Sequence, residues 1–303
     1  MKLAAIDIGS NAIRLLIEEA RLNNSELYFK KISLTRVPVR LGSDVFKEGF
    51  VSVKKTNQLL KSIVAFSHLI ELNEVEHFRI VATSAMREAS NGEEIIRLIK
   101  QETGLTIEII SGELEADLIF ANFFLQNYTD PSQRYIFIDV GGGSTELSFI
   151  EKNERKASKS FQIGALRSAE VTQDGSDVWA EIELWIKELH LINQSIISIG
   201  TGGNINRIFK ESKHRFLEKI SYSEIEQVAS YIGSFSLEDR IRKLRLKPDR
   251  ADVIIPSSEI YLKVMRLAGS QKMIVPKVGL SDGVIYDLYQ KKLIQKGDLD
   301  SLR

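Results

Sequence analysis

The sequence predicts an α/β protein built from two similar domains, and three observations support this fold class. Short apolar runs that resemble buried strands alternate with segments in which apolar residues have helical spacing. An Asp followed by a Gly-containing turn comes directly after such a run twice, at Asp7 and at Asp139. The chain of 303 residues is also long enough for two domains of roughly 100 to 200 residues, each with its own core.

The first half of the chain is predicted to begin with three strands and to continue with alternating helices and strands. The predicted elements are strands at 3–8, 13–18 and 26–34, a helix at 51–72, a strand at 78–82, a helix at 92–102, a strand at 107–110 and a helix at 112–127. Residues 127–133 then form a polar turn that contains a proline. We therefore place the first domain at 1–128 and the second at 129–303.

The second half repeats this order of elements and then adds helices. The predicted elements are strands at 135–138, 146–150, 158–162 and 195–199, a short helix after Gly203, and helices at 178–191, 222–230, 237–244, 250–267 and 281–295. We expect the last of these helices to pack back on the first domain.

The composition excludes several classes of function. The 41 basic residues balance 41 acidic residues, so no overall positive field favours nucleic acid or an anionic membrane surface. The absence of Cys rules out disulfides, thiolate metal sites and a cysteine nucleophile. No apolar run approaches the ~20 residues of a membrane-spanning helix. We therefore expect a cytoplasmic protein without a nucleic-acid or membrane partner.

The stretch from 139 to 146 carries the strongest functional signal. Its turn supplies three glycines and two hydroxyl residues, namely Gly141, Gly142, Gly143, Ser144 and Thr145. Consecutive glycines let backbone N–H groups approach a phosphate closely, and hydroxyls add further donors. The alternative is a tight hairpin turn, for which one or two glycines normally suffice. The sequence therefore predicts a phosphate-binding loop.

Carboxylates near the two turns are candidate ligands for a divalent cation. Asp139 and Glu146 flank the glycine-rich turn, and Asp7 occupies the place of Asp139 in the first half. A carboxylate that follows a buried strand is costly unless a metal or several donors satisfy it. We predict Mg²⁺, with Mn²⁺ as a substitute. The alternatives are turn capping for the two aspartates and surface exposure for Glu146.

Further polar groups are predicted to contact phosphate. In the first turn these are Ser10 and Asn11, and Arg14 and Arg87 supply guanidinium groups that bind phosphate bidentately. In the second half, Gly202 and Gly203 lie between a strand and a short helix, where helix N–H groups attract an anion. The alternatives are a chain-reversing turn, surface arginines and an ordinary strand-to-helix connection.

Eight short motifs occur in one order along the chain, at residues 7–14, 39–42, 82–87, 110–116, 139–146, 200–203, 246–251 and 280–283. Together they resemble the Ppx/GppA family of exopolyphosphatases and guanosine pentaphosphate phosphohydrolases. The wider superfamily contains acetate and sugar kinases, Hsp70 and actin. The resemblance implies two ribonuclease H-like domains with an interdomain cleft, and it covers nearly the whole chain.

The resemblance also implies a reaction and a catalytic residue. Glu115 lies near the start of a predicted helix, where carboxylates are common simply because they complement the helix dipole. Its match to the family motif implies that it activates a water molecule. The implied substrates are inorganic polyphosphate, with short chains favoured, and guanosine pentaphosphate, and the implied assembly is a homodimer.

Two departures from the larger family members leave alternatives open. The sequence resembles a short form without the C-terminal helical domain of HD-phosphohydrolase type, and Asp117 stands where the resemblance leads us to expect a basic residue. One alternative is a protein that binds polyphosphate or guanosine tetra- or pentaphosphate without hydrolysing it. Another is a small-molecule kinase of the same superfamily.

Overall fold

A computed structural model describes residues 1–23, 26–125, 129–170, 176–191 and 195–296. It divides the chain into two compact units. Unit 1 comprises Met1–Asn122 and Gly279–Arg303, and unit 2 comprises Phe123–Val278. The boundary expected after residue 128 adjoins 126–128, which lie outside the described residues.

The described residues form eleven strands and thirteen helices in chain order. The strands are β1 (Lys2–Ile8), β2 (Ile13–Asn23), β3 (Glu26–Val37), β4 (His77–Ala82), β5 (Glu108–Ile109), β6 (Arg134–Val140), β7 (Thr145–Glu151), β8 (Glu154–Phe161), β9 (Ile196–Thr201), β10 (Ile220–Ser221) and β11 (Lys272–Ile274). The helices are α1 (Gly42–Glu48), α2 (Val53–Leu72), α3 (Ser84–Glu88), α4 (Gly92–Thr103), α5 (Gly112–Leu125), α6 (Ala165–Glu170), α7 (Ser176–Glu188), α8 (Gly203–Glu211), α9 (Tyr222–Gly233), α10 (Leu237–Arg242), α11 (Pro248–Ala251), α12 (Ile254–Leu267) and α13 (Leu280–Lys296).

The two units contain sheets of the same design. The sheet of unit 1 has the order β3-β2-β1-β4-β5, and that of unit 2 has the order β10-β11-β9-β6-β7-β8. In each sheet the first three strands along the chain are antiparallel. In unit 1, β4 and β5 run parallel to β1, and in unit 2, β9 and β11 run parallel to β6, whereas the short edge strand β10 is antiparallel to β11. This is the ribonuclease H-like arrangement. The expected α/β class and the repeat of one unit are therefore confirmed.

The repeat extends to the register of the functional turns. Asp7 pairs with Arg14 across β1 and β2, just as Asp139 pairs with Glu146 across β6 and β7. The two turns therefore have the same length, and both follow the first strand of their sheet. They differ in charge, because an arginine in the first is replaced by a glutamate in the second.

Burial on both faces of the central strands explains their apolar sequence. In unit 1, Ile6 and Ile8 of β1 and Ile13 of β2 join a core that also contains Leu59 and Phe66 of α2. The other face of this sheet packs against α13. Strands that are covered on both sides bury nearly all of their side chains, so they appear as continuous apolar runs.

Some elements differ from those predicted. The helix expected at 250–267 is two helices, α11 and α12, with Pro248 in the first turn of α11. Sequence patterning also missed the short helices α1, α3 and α6 and the short strands β10 and β11, because each has too few residues for a clear period. The end of the helix predicted at 112–127 lies outside the described residues.

The helices of the described part of the chain give no candidate membrane span, because none combines sufficient length with sufficient apolar character.

Replacement of Gly283 by Ala should destabilise unit 1. A Cβ atom at Gly283 of α13 would lie only 2.1 Å from the carbonyl oxygen of Leu118 in α5, so the two helices would have to move apart. Such overpacking typically costs about 1–3 kcal/mol. Urea unfolding measures the effect. Gly233→Ala is the control, since its Cβ would meet only Ile255 Cδ1 at 3.7 Å, and equal stability of the two variants would contradict the prediction.

Glu18 should make stability depend on pH. Lys31 Nζ lies 3.3 Å from Asp282 Oδ1 and 3.9 Å from Glu18 Oε1, so two carboxylates share one ammonium. Burial, together with the negative charge of Asp282, raises the pKa of Glu18 from 4.5 to about 7. The folded state therefore holds this proton more tightly than the unfolded chain, and the free energy of unfolding decreases as the pH rises through that range.

We expect Glu18→Gln to remove this decrease. The variant should be more stable than the parent by up to ~3 kcal/mol near pH 8 and should match it near pH 4.5. Urea unfolding at several pH values tests this. Glu19→Gln is the control, because hydrogen bonding to Arg21 lowers the pKa of Glu19 instead. A constant difference between Glu18→Gln and the parent across the pH range would refute the prediction.

Candidate functional site

The glycine-rich turn of unit 2 is held by the first residues of α6. The carbonyl oxygen of Gly141 accepts a hydrogen bond from the N–H of Ala165 at 3.0 Å. The carbonyl oxygen of Gly142 accepts from the N–H groups of Leu166 and Arg167, at 2.8 and 2.9 Å. The Nε atom of Arg167 donates to the carbonyl oxygen of Gly143 at 2.7 Å. Three consecutive carbonyl groups of the turn are thus directed towards α6.

The direction of the carbonyls determines the direction of the amides. In a trans peptide the C=O and the following N–H point in opposite directions, and the described residues contain no cis peptide bond. The N–H groups of Gly142, Gly143 and Ser144 therefore point away from α6. Apart from pairing within the sheets, none of these three N–H groups donates a hydrogen bond to a backbone carbonyl oxygen of the described residues. Successive N–H groups of this kind form a concavity that binds anions.

Two buried carboxylates flank this turn. Asp139 and Glu146 lie opposite each other on β6 and β7, so their side chains are on the same face of the sheet. Asp139 is 8% exposed and Glu146 is 1% exposed, which excludes the surface alternative for Glu146. Thr201 Oγ1 donates to Asp139 Oδ1, and Ser144 and Ser160 both donate to Glu146 Oε1, at 2.7 and 2.9 Å.

This donor set fits a divalent cation that prefers oxygen. Paired carboxylates on one face are the ligands that Mg²⁺ and Mn²⁺ take in proteins. In unit 1 the corresponding Asp7 is already in an ion pair, because its Oδ2 lies 2.6 Å from Arg14 Nη1. The ion pair compensates the charge of Asp7, so the fit is better at Asp139 and Glu146. The role of Asp7 as a metal ligand stays a prediction.

The two hydroxyls of the glycine-rich turn donate within unit 2. The Ser144 hydroxyl donates to Glu146, and the buried Thr145 hydroxyl donates to the carbonyl oxygen of Ile163 at 2.6 Å. Contact of either hydroxyl with a phosphate would require it to give up this bond. The backbone amides need no such change, so they are the stronger candidates for phosphate binding.

Tyr261 fixes the strand ends from which this site is built. Its hydroxyl donates to the carbonyl oxygen of Thr201 and accepts from the N–H of Val140 at 3.3 Å. Burial, with the nearby charge of Asp139, raises the pKa of this phenol, so the hydroxyl keeps its proton. The pair of bonds joins the ends of β6 and β9, and Thr201 in turn orients Asp139.

Gly202 and Gly203, the two glycines predicted to bind phosphate at the start of α8, are each required there for a different structural reason. Gly202 has φ +113°, a conformation that other residues rarely adopt, and a Cβ there would lie 3.2 Å from the Tyr261 hydroxyl. A Cβ at Gly203 would lie 2.9 Å from Arg250 Nη2. Because Gly203 has no side chain, the guanidinium group of Arg250 can lie close to the N-terminus of α8. Helix N-termini favour the binding of anions.

The turn of unit 1 is linked to α3 and to the segment that precedes α1. The N–H of Gly9 donates to the carbonyl oxygen of Ala12 at 3.2 Å, which matches the bond from Gly141 to Ser144. The Ser10 hydroxyl accepts from the N–H of Ala85, which lies in α3. The carbonyl oxygen of Asn11 accepts from the N–H of Arg40 at 3.0 Å. The side chains of Ser10 and Asn11 thus sit in a turn that is fixed on both sides.

Arg87 and Glu115 lie in the same unit as that turn. Arg87 belongs to α3, and its Nη1 donates to the carbonyl oxygen of Ile110 at 2.7 Å, just before α5. The Ser111 hydroxyl caps α5 by accepting from the N–H of Leu114. Glu115 is only 7% exposed, so its carboxylate is held in a buried position in the first turn of α5, where the helix dipole stabilises negative charge.

Three residues with a role at this site were not predicted as site residues. Ser160 contacts Glu146, Tyr261 joins β6 to β9, and Arg167 holds the turn. Ser160 had a weak signal, since it alternates with Ser158 on β8 as residues on one strand face do. Tyr261 and Arg167 carried no signal, because their contacts cross large distances in sequence.

The chain is similar to members of one phosphatase family. The sequence profile of the Ppx/GppA phosphatase family matches residues 20–292. The bifunctional 3-dehydroquinate synthase/phosphatase of Fusobacterium nucleatum is 27% identical over an alignment of 310 residues, gaps included, and the alignment covers 95% of this chain and 47% of that protein. Exopolyphosphatase 1 of Mycobacterium tuberculosis is 23% identical over 94% of this chain and 87% of its own length. The chain thus spans about half the length of the Fusobacterium relative.

Solved structures show the same fold. The Ppx/GppA family member of Aquifex aeolicus has a TM-score of 0.73 and 25% identity, with 96% of this chain and 98% of that chain covered. An exopolyphosphatase from Cytophaga hutchinsonii has a TM-score of 0.80 and 22% identity, with the same coverage. The profile match covers most of the sequence and includes seven of the eight motifs noted above. The chain therefore belongs to the Ppx/GppA phosphatase family.

Proposed function

We propose that the protein hydrolyses the terminal phosphoanhydride of inorganic polyphosphate, with short chains favoured, or of guanosine pentaphosphate. The observation that carries the proposal is the glycine-rich turn, whose three amides point away from α6 between two buried carboxylates. The names of the Mycobacterium and Cytophaga relatives, both exopolyphosphatases, support polyphosphate as the substrate. Such hydrolysis depends mainly on positioning and electrostatic stabilisation.

The proposal gives each group a role. The amides of Gly142, Gly143 and Ser144 bind oxygens of the transferred phosphoryl group. The guanidinium groups of Arg14 and Arg87 compensate negative charge on the remaining phosphates. Arg14 contacts Asp7 and Arg87 contacts the carbonyl oxygen of Ile110, and these contacts orient the two side chains.

The carboxylates divide between metal binding and proton transfer. Asp139 and Glu146 would hold Mg²⁺ or Mn²⁺, which when bound neutralises charge on the phosphoryl oxygens. Glu115 accepts the proton of the attacking water. Its burial removes competing hydration, and a carboxylate in that environment is a suitable general base.

A substrate panel tests the proposal. Polyphosphates of graded length and guanosine pentaphosphate would each be incubated with Mg²⁺ and with Mn²⁺, and free phosphate would be measured. We expect metal-dependent phosphate release, with the highest kcat/KM for short chains. Calorimetric binding in the same conditions separates hydrolysis from the alternative of a protein that only binds these anions. Tight binding of these anions without any phosphate release would overturn hydrolysis and leave a binding protein.

A further inference from the structure

We infer that Arg167 is a positioning residue that holds the glycine-rich turn with its amides directed at the phosphate. The inference deepens the proposed function and rests on it. Arg167 touches the turn through its backbone and through its side chain, and neither contact involves the proposed substrate. It therefore acts through the orientation of the turn.

Arg167 donates hydrogen bonds to two successive peptide groups of the turn. Its N–H donates to the carbonyl oxygen of Gly142 at 2.9 Å, and its Nε donates to that of Gly143 at 2.7 Å. Its Nη2 donates to Gln162 Oε1 at 3.1 Å, just after the end of β8. The guanidinium plane is thus anchored on Gln162 while it holds Gly143.

The bond to Gly143 decides where one amide points. The carbonyl of Gly143 and the N–H of Ser144 belong to the same peptide plane, so fixing the carbonyl also fixes the N–H. Glycine has little conformational preference of its own, and this peptide would otherwise be able to rotate. A rotated peptide would present an oxygen to the phosphate in place of a donor. Arg167 opposes that rotation with a charge-assisted hydrogen bond.

Gly164 provides independent support for a close fit between the turn and the segment that carries Arg167. A Cβ atom at this position would lie 2.6 Å from the carbonyl carbon and oxygen of Gly142 and from the carbonyl carbon of Gly143. Only glycine allows this approach without movement of the backbone. The segment at the start of α6 therefore packs directly against the backbone of the glycine-rich turn.

The test compares two substitutions of Arg167 with a matched control. Arg167→Met keeps most of the apolar stem and removes every side-chain donor, whereas Arg167→Lys keeps the charge but lacks the planar set of guanidinium donors that bonds both Gly143 and Gln162. Arg134→Met is the control, since Arg134 is another arginine of unit 2 that forms an ion pair, with Glu151, and it lies at the end of β6 opposite to the glycine-rich turn.

We expect kcat/KM for tripolyphosphate to fall by about 10-fold in Arg167→Lys and by about 100-fold in Arg167→Met, and to stay near the parent value in Arg134→Met. Hydrogen exchange gives a second readout. Tripolyphosphate should slow exchange in peptides that contain residues 141–145 of the parent and of Arg134→Met, and this slowing should be lost in Arg167→Met.

The outcomes separate the inference from the proposed function. Parent-like kcat/KM and parent-like exchange protection in Arg167→Met would overturn the inference and leave the proposed function intact. Absence of both hydrolysis and exchange protection in the parent would overturn the proposed function, and the inference with it. Should Arg167→Met fail to fold, Arg167→Lys decides, because parent-like values in that variant also overturn the inference.

Discussion

Replacement of Glu115 by Gln should lower kcat for phosphate release by ~10²- to 10⁴-fold, the usual contribution of a general base. The amide cannot accept the proton of the attacking water, although it has nearly the same size and shape as the carboxylate. Polyphosphate affinity should be retained, because Glu115 is assigned no contact with the phosphate chain. Stopped assays of phosphate release and calorimetry with the same polyphosphate measure the two quantities.

Glu113→Gln is the matched control for this change. Glu113 lies two positions earlier in the same first turn of α5, but it is exposed, whereas Glu115 is buried. Both substitutions remove one negative charge from the same helix N-terminus, so a general electrostatic effect would appear in both. Near-parent turnover in Glu115→Gln would remove this residue from the role of base.

Replacement of Asp139 by Asn should raise the Mg²⁺ concentration for half-maximal activity by at least ~10-fold. The carboxamide is a weaker ligand and carries no charge, while the bond from Thr201 Oγ1 can be kept by its carbonyl oxygen. The site around Asp139 should therefore stay folded as its metal affinity falls. Direct titration with Mn²⁺, followed by electron paramagnetic resonance, measures binding without reference to activity.

The control for this experiment is Asp130→Asn. Asp130 lies before β6 in the same unit, is exposed, and accepts hydrogen bonds from the backbone N–H and the hydroxyl of Ser132. We expect no change in metal affinity there. Equal Mn²⁺ affinity in Asp139→Asn and the parent would contradict the assignment of Asp139 as a ligand.

Much of the architecture was predictable because it depends on local patterns. The apolar runs before Asp7 and Asp139 are strands buried on both faces. Such strands give a continuous run of apolar residues in the sequence of any protein, so they are recognisable without the structure. Long amphipathic helices such as α2 were found within two residues of their ends. The helix break between α11 and α12 was missed, since the apolar spacing continues across it.

The candidate site was predictable only in part. The glycines and the carboxylates at 139 and 146 carry a signal because few other residue types serve in a phosphate loop. No sequence signal indicated that Glu115 is buried, since an exposed glutamate at a helix N-terminus has the same sequence pattern. The position of Arg14 on a strand was expected, whereas its ion pair with Asp7 follows from the register of β1 and β2.

The sequence by itself determined the repeated α/β unit, the two turns and the residue types available for chemistry, because these depend on short-range periodicity and on backbone freedom at glycine. Only the tertiary structure decided which way the turn at 141–144 points its amides, since this depends on hydrogen bonds from Ala165, Leu166 and Arg167. It also decided which carboxylates are buried and what they contact. These properties arise from packing between distant segments, and packing of that kind leaves no period in the chain.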